Sequence, residues 1–287
     1  MSVLFCDTNC EIWYTEAKEL GLDHVIRMPY TLDGKEYYYD LGEHTDFRFF
    51  YDRLRARADA KTSALNKVDY LDYFEPVFAA GEDILYLSFS GKLSGTFEFM
   101  DQAVAELKEK YPGRKFTRFD TKNISVGAGI SVYYAARMKQ EGKSDEEILA
   151  FLQEFAPEVG CYFAVDDLNH LKRGGRISPT AAFLGTMVGV KHILTVNGEG
   201  ALLPMAKARG RKKAIDALFD LYRSGAADDG RDVWIVGADC EEDLDKLCGM
   251  VHDLTPERRI HRQIVGPVIA SHCGPDTLGI IFHRKKA

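Results

Sequence analysis

Ser94 and Thr96 stand in the run Leu93-Ser94-Gly95-Thr96, between an apolar strand-like segment, Ile84-Leu85-Tyr86-Leu87, and an amphipathic helical stretch over roughly Phe97 to Tyr111. A strand that passes through a Gly/Ser turn into a helix leaves backbone N–H groups unpaired at the helix start. Those groups and the helix dipole favour an anion, and the two hydroxyls add donors that rotate to suit it. The chemistry is the gripping of a carboxylate or a phosphate. The plainer reading of Ser94 is a helix cap, for which serine is a favoured residue. Thr62-Ser63 lies in the polar stretch Lys61 to Asn66, where a loop or cap role is the plain reading. His272 sits in a turn, beside Cys273 and Gly274, where a structural histidine is the plain reading. Arg173 and Arg176 flank Gly174-Gly175, a pair suited to a tight turn with positive φ. Asp7 and Asp120 end two strand-like runs and could ligate Mg²⁺, but two scattered carboxylates make a weak metal signal.

A second chemistry for the same residues is a hydrolase or phosphotransferase, with Ser94 as nucleophile and His272 as base. The chain has no G-x-S-x-G elbow and no G-x-x-x-x-G-K-[ST] loop, so neither that nucleophile nor ATP binding has its usual sequence support. A third is a sugar or nucleotide module at a cleft between domains. The composition bounds these readings. The 287 residues exceed the usual single-domain size, with 46% hydrophobic and 28% charged residues. A net charge of −7 argues against nonspecific nucleic-acid binding. No stretch approaches the ~20 apolar residues that span a bilayer, and Met1-Ser2-Val3 leads straight into a strand-like run without a leader pattern. Cys6, Cys10, Cys161, Cys240, Cys248 and Cys273 form no C-x-x-C pair, which suits reduced thiols in a cytoplasmic protein.

The elements that must position these side chains alternate. Val3 to Cys6 reads as a first buried strand and His24 to Pro29 as an extended stretch. Lys35 to Asp40 reads as an edge strand after the turn Asp33-Gly34. Helices follow at Phe47 to Ala58 and from Asn66 or Asp69, either of which caps, to about Ala80. After the central strand and its helix come strand Lys115 to Phe119, an apolar helix from Val126 to Glu141, and a helix opened by the capping box Ser144-x-x-Glu147. This half predicts a doubly wound, mostly parallel sheet. Pro157 to Gly160 is the boundary, dividing the chain into residues 1–157 and 158–287. The second half predicts strands at 161–165, 192–196, 201–206, 232–237, 259–265 and 277–283. Helices are predicted at 167–172, 178–188, 211–222 and 241–254, with Asn197-Gly198 marking a hairpin. That pattern predicts an α/β domain with a mixed or antiparallel sheet and helices on one side.

Taken together, Thr62-Ser63, LSGT at 93–96, LKRGGRIS at 171–178 and SHCGP at 271–275 fall in the order seen in the DegV family, which the whole chain resembles. Asp7-Thr8, Gly127 and Gly129, and Gly189-Val190-Lys191 also fit. The resemblance implies a two-domain α/β protein that binds a long-chain fatty acid and has no catalytic residues or cofactor of its own. It implies a partner, an ATP-dependent fatty acid kinase that makes the acyl phosphate for phospholipid metabolism. By the same resemblance Thr62, Ser63, Ser94, Gly95 and Thr96 hold the carboxylate with His272 nearby, and Arg173 and Arg176 serve partner docking. The sequence departs from the family at TSALN (62–66), where TSQPS is usual. It also has Asp-Thr for Asp-Ser at the two strand ends, and Lys191-His192 for Lys-Pro.

The physical demands agree. A buried carboxylate needs donors, and two hydroxyls, an imidazole and helix amides suffice for one. A 16-carbon tail, at about 0.8 kcal/mol per CH₂, contributes on the order of 10 kcal/mol before association costs, and so needs an apolar tunnel. Phe163, Leu184, Met187, Val188, Ile193, Leu194, Ile264 and Phe282 are the expected tunnel residues, with Ala181, Ala182 and Gly185 leaving space. The same side chains would also suit a dry core.

Overall fold

The computed structural model describes residues 2–177 and 189–286. The helix expected over 178–188, with Ala181, Ala182, Leu184, Gly185, Met187 and Val188, lies outside the described residues. The first half runs β1 (Val3–Asp7), α1 (Tyr14–Glu19), β2 (His24–Ile26), β3 (Pro29–Leu32), β4 (Lys35–Tyr38), α2 (Phe47–Arg55), β5 (Ala60–Thr62), α3 (Lys67–Ala79), β6 (Ile84–Ser88), α4 (Thr96–Lys110), β7 (Phe116–Asp120), α5 (Val126–Gln140) and α6 (Asp145–Phe155). Strands β2-β1-β6-β7 form a parallel sheet in that order. Every residue of β6 is buried, as a strand covered on both faces requires. Asn66 and Asp69 do not compete to cap α3. They form one reciprocal capping box, as do Ser144 and Glu147 on α6.

A 3₁₀ turn at Ala156–Glu158 leads into the second half. There the elements are β8 (Val159–Val165), α7 (Leu168–Arg173), β9 (Val190–Val196), β10 (Leu202–Arg209), α8 (Arg211–Gly225), β11 (Val233–Gly237), α9 (Glu241–Leu254), β12 (Ile260–Ile264), α10 (Pro267–Cys273) and β13 (Leu278–His283). The sheet order is β10-β9-β8-β13-β11-β12, antiparallel except for the β11–β12 pair. Successive residues of a strand point to opposite faces. One face, with Ile193, Ile235, Ile280 and Phe282, packs under α8 and α9 through Leu218 and Leu247. The other, with Leu194, Trp234, Val236 and Ile281, joins the core of the first half. The two lobes therefore share an interior through this sheet face.

Three local readings change. The stretch His24 to Pro29 divides: β2 belongs to the parallel sheet, whereas β3 joins a separate antiparallel sheet of order β4-β3-β5. The loop expected from Lys61 begins inside strand β5, where Thr62 pairs with Tyr30. A polar strand of three residues has no apolar alternation to announce it. The turn expected at 271–275 is the end of helix α10, which starts on Pro267 and stops at Gly274, φ +79°.

Gly129 in α5 lies against the 3₁₀ turn that follows β1, and a Cβ there would stand 2.1 Å from the Cys10 carbonyl oxygen. We expect Gly129→Ala to cost about 1–3 kcal/mol in denaturant unfolding, since backbone must move to admit the methyl group. Gly113→Ala, with nothing within 4 Å, should leave the midpoint nearly unchanged.

Candidate functional site

A cavity partly open to solvent lies between the two halves. Its walls are chiefly apolar, with Phe163, Val236, Val268 and Ile281 facing Met28 and Phe89. Thr62, Ser63, Ser94, Gly95, Arg176 and His272 also line it and supply its polar end. Thr62 is fixed by the pairing of β5 with β3, and His272 by the last turn of α10, which packs on β5. Thr62 Oγ1 and His272 Nε2 stand 2.8 Å apart. His272 Nδ1 is buried without a partner. From this network we assign the ring proton to Nε2, donating to Thr62, which leaves the threonine hydroxyl hydrogen free to serve a ligand. Burial, and then the nearby Arg176 charge, push the His272 pKa down to about 4, so the ring is neutral near pH 7.

Ser94 accepts a hydrogen bond from the Thr96 N–H at 3.2 Å. The N-cap of α4 is Gly95, with no side-chain cap bond, so Ser94 stands one residue before the cap, where its bond to Thr96 orders the turn and its own hydrogen is left to serve an anion. Thr96 does not join the cavity wall. It is fully buried, with Oγ1 2.8 Å from the Tyr70 hydroxyl and accepting from the Leu65 N–H at 3.2 Å. Its role is to tie the segment after β5 to the start of α4, which brings Thr62 and Ser94 to one cavity.

The two arginines separate. Arg173 is exposed, with a guanidinium nitrogen 3.1 Å from His170 Nδ1. Arg176 is half-buried, donates to the Leu93 carbonyl at 3.1 Å and to Gly174, and faces the polar end of the cavity. Gly174 answers a different need from its neighbour. Gly175 has φ +68°, whereas a Cβ at Gly174 would lie 2.2 Å from His272 Nδ1. The double glycine thus makes one turn and one close approach to the imidazole.

Among the described residues no hydrogen bond joins Ser94 to His272, whose ring nitrogen meets Thr62, while Ser94 accepts from Thr96. Asp7 accepts from the Tyr86 hydroxyl at 2.7 Å and the Asn9 N–H at 2.9 Å, and burial raises its pKa to about 6. Asp120 accepts from the Gly91 and Lys122 N–H groups at 3.1 and 2.8 Å. Both carboxylates order turns, and among the described residues no group of three or more His, Cys, Asp or Glu could hold a metal ion.

Of the expected tunnel residues, Phe163 is on the wall. Ile193 and Phe282 point to the opposite sheet face under α8 and α9, Leu194 lies in the shared core, and Ile264 is on the edge strand β12 away from the cavity. The wall is made instead by Val236, Gly279 and Ile281, with Val265 and Val268 at the entry to and within α10. The i, i+2 spacing of Gly279 and Ile281 was the available signal, but it does not say which face is which.

The fold and cavity define a two-lobed α/β protein with a polar-ended pocket at the lobe junction. The family model described as "Uncharacterised protein, DegV family" matches residues 3–285. A DegV domain-containing protein of Clostridium perfringens is 37% identical over 281 residues, 98% of this chain and 96% of the relative. The solved structure titled "Fatty Acid Binding of a DegV family Protein from Thermus thermophilus" superposes with a TM-score of 0.84 at 30% identity, covering 99% of each chain. That of Bacillus subtilis DegV, titled a fatty acid binding protein, gives 0.83 at 26%, again covering 99% of each. The linoleic acid-loaded Fatty Acid Kinase (Fak) B3 protein of Streptococcus pneumoniae, at 18% identity and TM-score 0.82 over 98% of this chain and 99% of that one, shares the fold. The chain belongs to the DegV family.

Neutral His272 has a testable consequence. Its folded pKa, about 4, is below the ordinary 6.5. Its contribution to stability is therefore fully present above about pH 6.5 and is lost as pH falls through 4. We expect NMR titration to place the His272 ring near 4, and His272→Gln to flatten the acid side of the stability profile between those values.

Proposed function

We propose that the protein binds a long-chain fatty acid, with the carboxylate held by Thr62 and Ser94 beside His272 and the tail along the apolar cavity. The observation that carries this reading is one continuous cavity in which Thr62, hydrogen-bonded to His272, and Ser94 lie at the polar end of otherwise apolar walls. The fatty acid-binding titles of the Thermus and Bacillus relatives support it. Ser63 and Gly95 complete the rim of the head-group end, and Arg176 adds a cation to it. The division at residue 157 gives the first lobe Thr62 and Ser94. The second lobe supplies His272, Arg176 and most of the tail wall. The protein acts in this reading as a carrier without catalysis or cofactor, in the cytoplasm, and presents the carboxylate to a separate ATP-dependent fatty acid kinase. Ser63 and Gly95 are exposed, which leaves the acid end near the surface where a kinase must reach it. Exposed Arg173 is the docking residue.

Denaturing the purified protein and analysing the extract by mass spectrometry should reveal about one equivalent of fatty acid. No fatty acid in the extract, with no thermal shift on adding palmitate or oleate, would refute the proposal. Each hydrogen bond to a charged group is worth about 1.5–3 kcal/mol, so Thr62→Ala with Ser94→Ala should weaken binding by on the order of a hundredfold or more. The melting curve should stay cooperative. Unchanged affinity would remove the head-group assignment. Arg173→Glu should lower acyl-phosphate formation with the cognate kinase while leaving fatty acid affinity intact.

A further inference from the structure

His261, on edge strand β12, is 7% exposed and meets a carboxylate at each ring nitrogen. Nδ1 is 2.9 Å from Glu16 Oε1, on α1 of the first lobe. Nε2 is 2.8 Å from Asp232 Oδ2, just ahead of β11 in the second. An ionised carboxylate only accepts, so each nitrogen has to bring an N–H, and only the imidazolium has two. The ring also lies flat on Trp234, centroids 4.1 Å apart at 10°, and a cation over an indole face is attracted to it. Tyr133 of α5 meets the ring edge-on and donates its hydroxyl to Asp232 at 3.3 Å. Arg137 lies over the Tyr133 ring. Arg259 comes within 3.8 Å of Glu16, but its side chain is 61% exposed and such a pair is worth little. Further along β12, Arg262 is paired with Asp245 at 2.6 Å. Burial disfavours the charged ring, yet Asp232 and then Glu16 outweigh it and hold the pKa above the ordinary 6.5.

When one proton leaves, a single N–H remains for two acceptors. Whichever nitrogen keeps it, the other turns a lone pair on a carboxylate. The cavity wall is close along the chain: Trp234 and Val236 share one face of β11, β12 runs from His261 on to Val265, and Val236 and Val265 line the cavity. His261, Glu16 and Arg259 line a surface groove, so solvent protons can reach the ring.

We propose that His261 is a proton-operated clasp between the lobes: doubly protonated, it ties α1 to the second-lobe sheet, and on losing a proton it releases that tie and loosens the adjoining cavity wall. The clasp works whatever the cavity holds. With the folded pKa above the unfolded 6.5, its contribution is complete below pH 6.5 and is lost as pH rises through the folded value.

NMR titration of the ¹⁵N-labelled, ligand-free full-length protein should show two N–H groups on the His261 ring at pH 6 and one at high pH. Backbone hydrogen exchange, expressed as protection relative to the intrinsic rate at each pH, should show segments 13–20 and 260–273 opening about tenfold more at pH 9 than at pH 6. That is the size expected for losing one hydrogen bond to a charged group. In His261→Gln the protection of both segments should be the same at the two pH values, and Glu16→Gln should remove most of the difference. A ring with one N–H at pH 6, wild-type protection that does not change with pH, or a change that survives intact in His261→Gln would overturn the clasp. The first two are read on the wild type, so the test stands even if neither variant folds.

Discussion

The hydrogen bond between Thr62 and His272 joins two lobes at the polar end of the cavity. Each partner comes from an element that cannot stand alone. Strand β5 has three residues and α10 has seven, lengths at which neither is stable without packing. The first lobe holds α10 in several ways. Tyr51 of α2 donates to the Val265 carbonyl at 2.6 Å, and the Gly266 N–H donates to Glu11. Glu11 also accepts from Ser125 and so bridges the lobes, and burial pushes its carboxyl up to about 8. With α10 fixed from below, the imidazole has one place to go, and Gly174 leaves room for it.

The second-lobe sheet divides the labour between its faces. One face is an ordinary core under two amphipathic helices. The other is shared between lobe-lobe packing and the cavity, and Gly279 beside Ile281 lowers the wall where space is left. The apolar contacts that hold the lobes together thus continue into the cavity wall, both drawn from the same sheet face. A second seam, where His261 lies 2.9 Å from Glu16 and 2.8 Å from Asp232 and stacks on Trp234, holds the lobes together on the side of edge strand β12. The two carboxylates raise the His261 pKa against the opposing effect of burial.

Much of this architecture was legible in the residues. Long periodic helices, the all-buried β6 and the capping box at Ser144 carry their own signals, and the structure follows them. What escaped were short elements whose pairing is decided elsewhere: α1, the split of β2 from β3, β5, and α10 read as a turn. Thr96 shows the same limit within the site. As a hydroxyl beside Ser94 it looked equivalent, but only the position of Tyr70 and Leu65 decides that it faces inward.

The sequence by itself determined the alternation of strands and helices, the hydroxyl-bearing loop at a helix start, and membership of a family, because periodicity, capping and motif order are local properties of a chain. Tertiary structure alone decided which face of each second-lobe strand meets the cavity, and that Arg176 turns inward while Arg173 does not. Those outcomes depend on which side chains arrive from distant parts of the chain, as Leu93 meets Arg176 across 83 positions, and no local pattern encodes that.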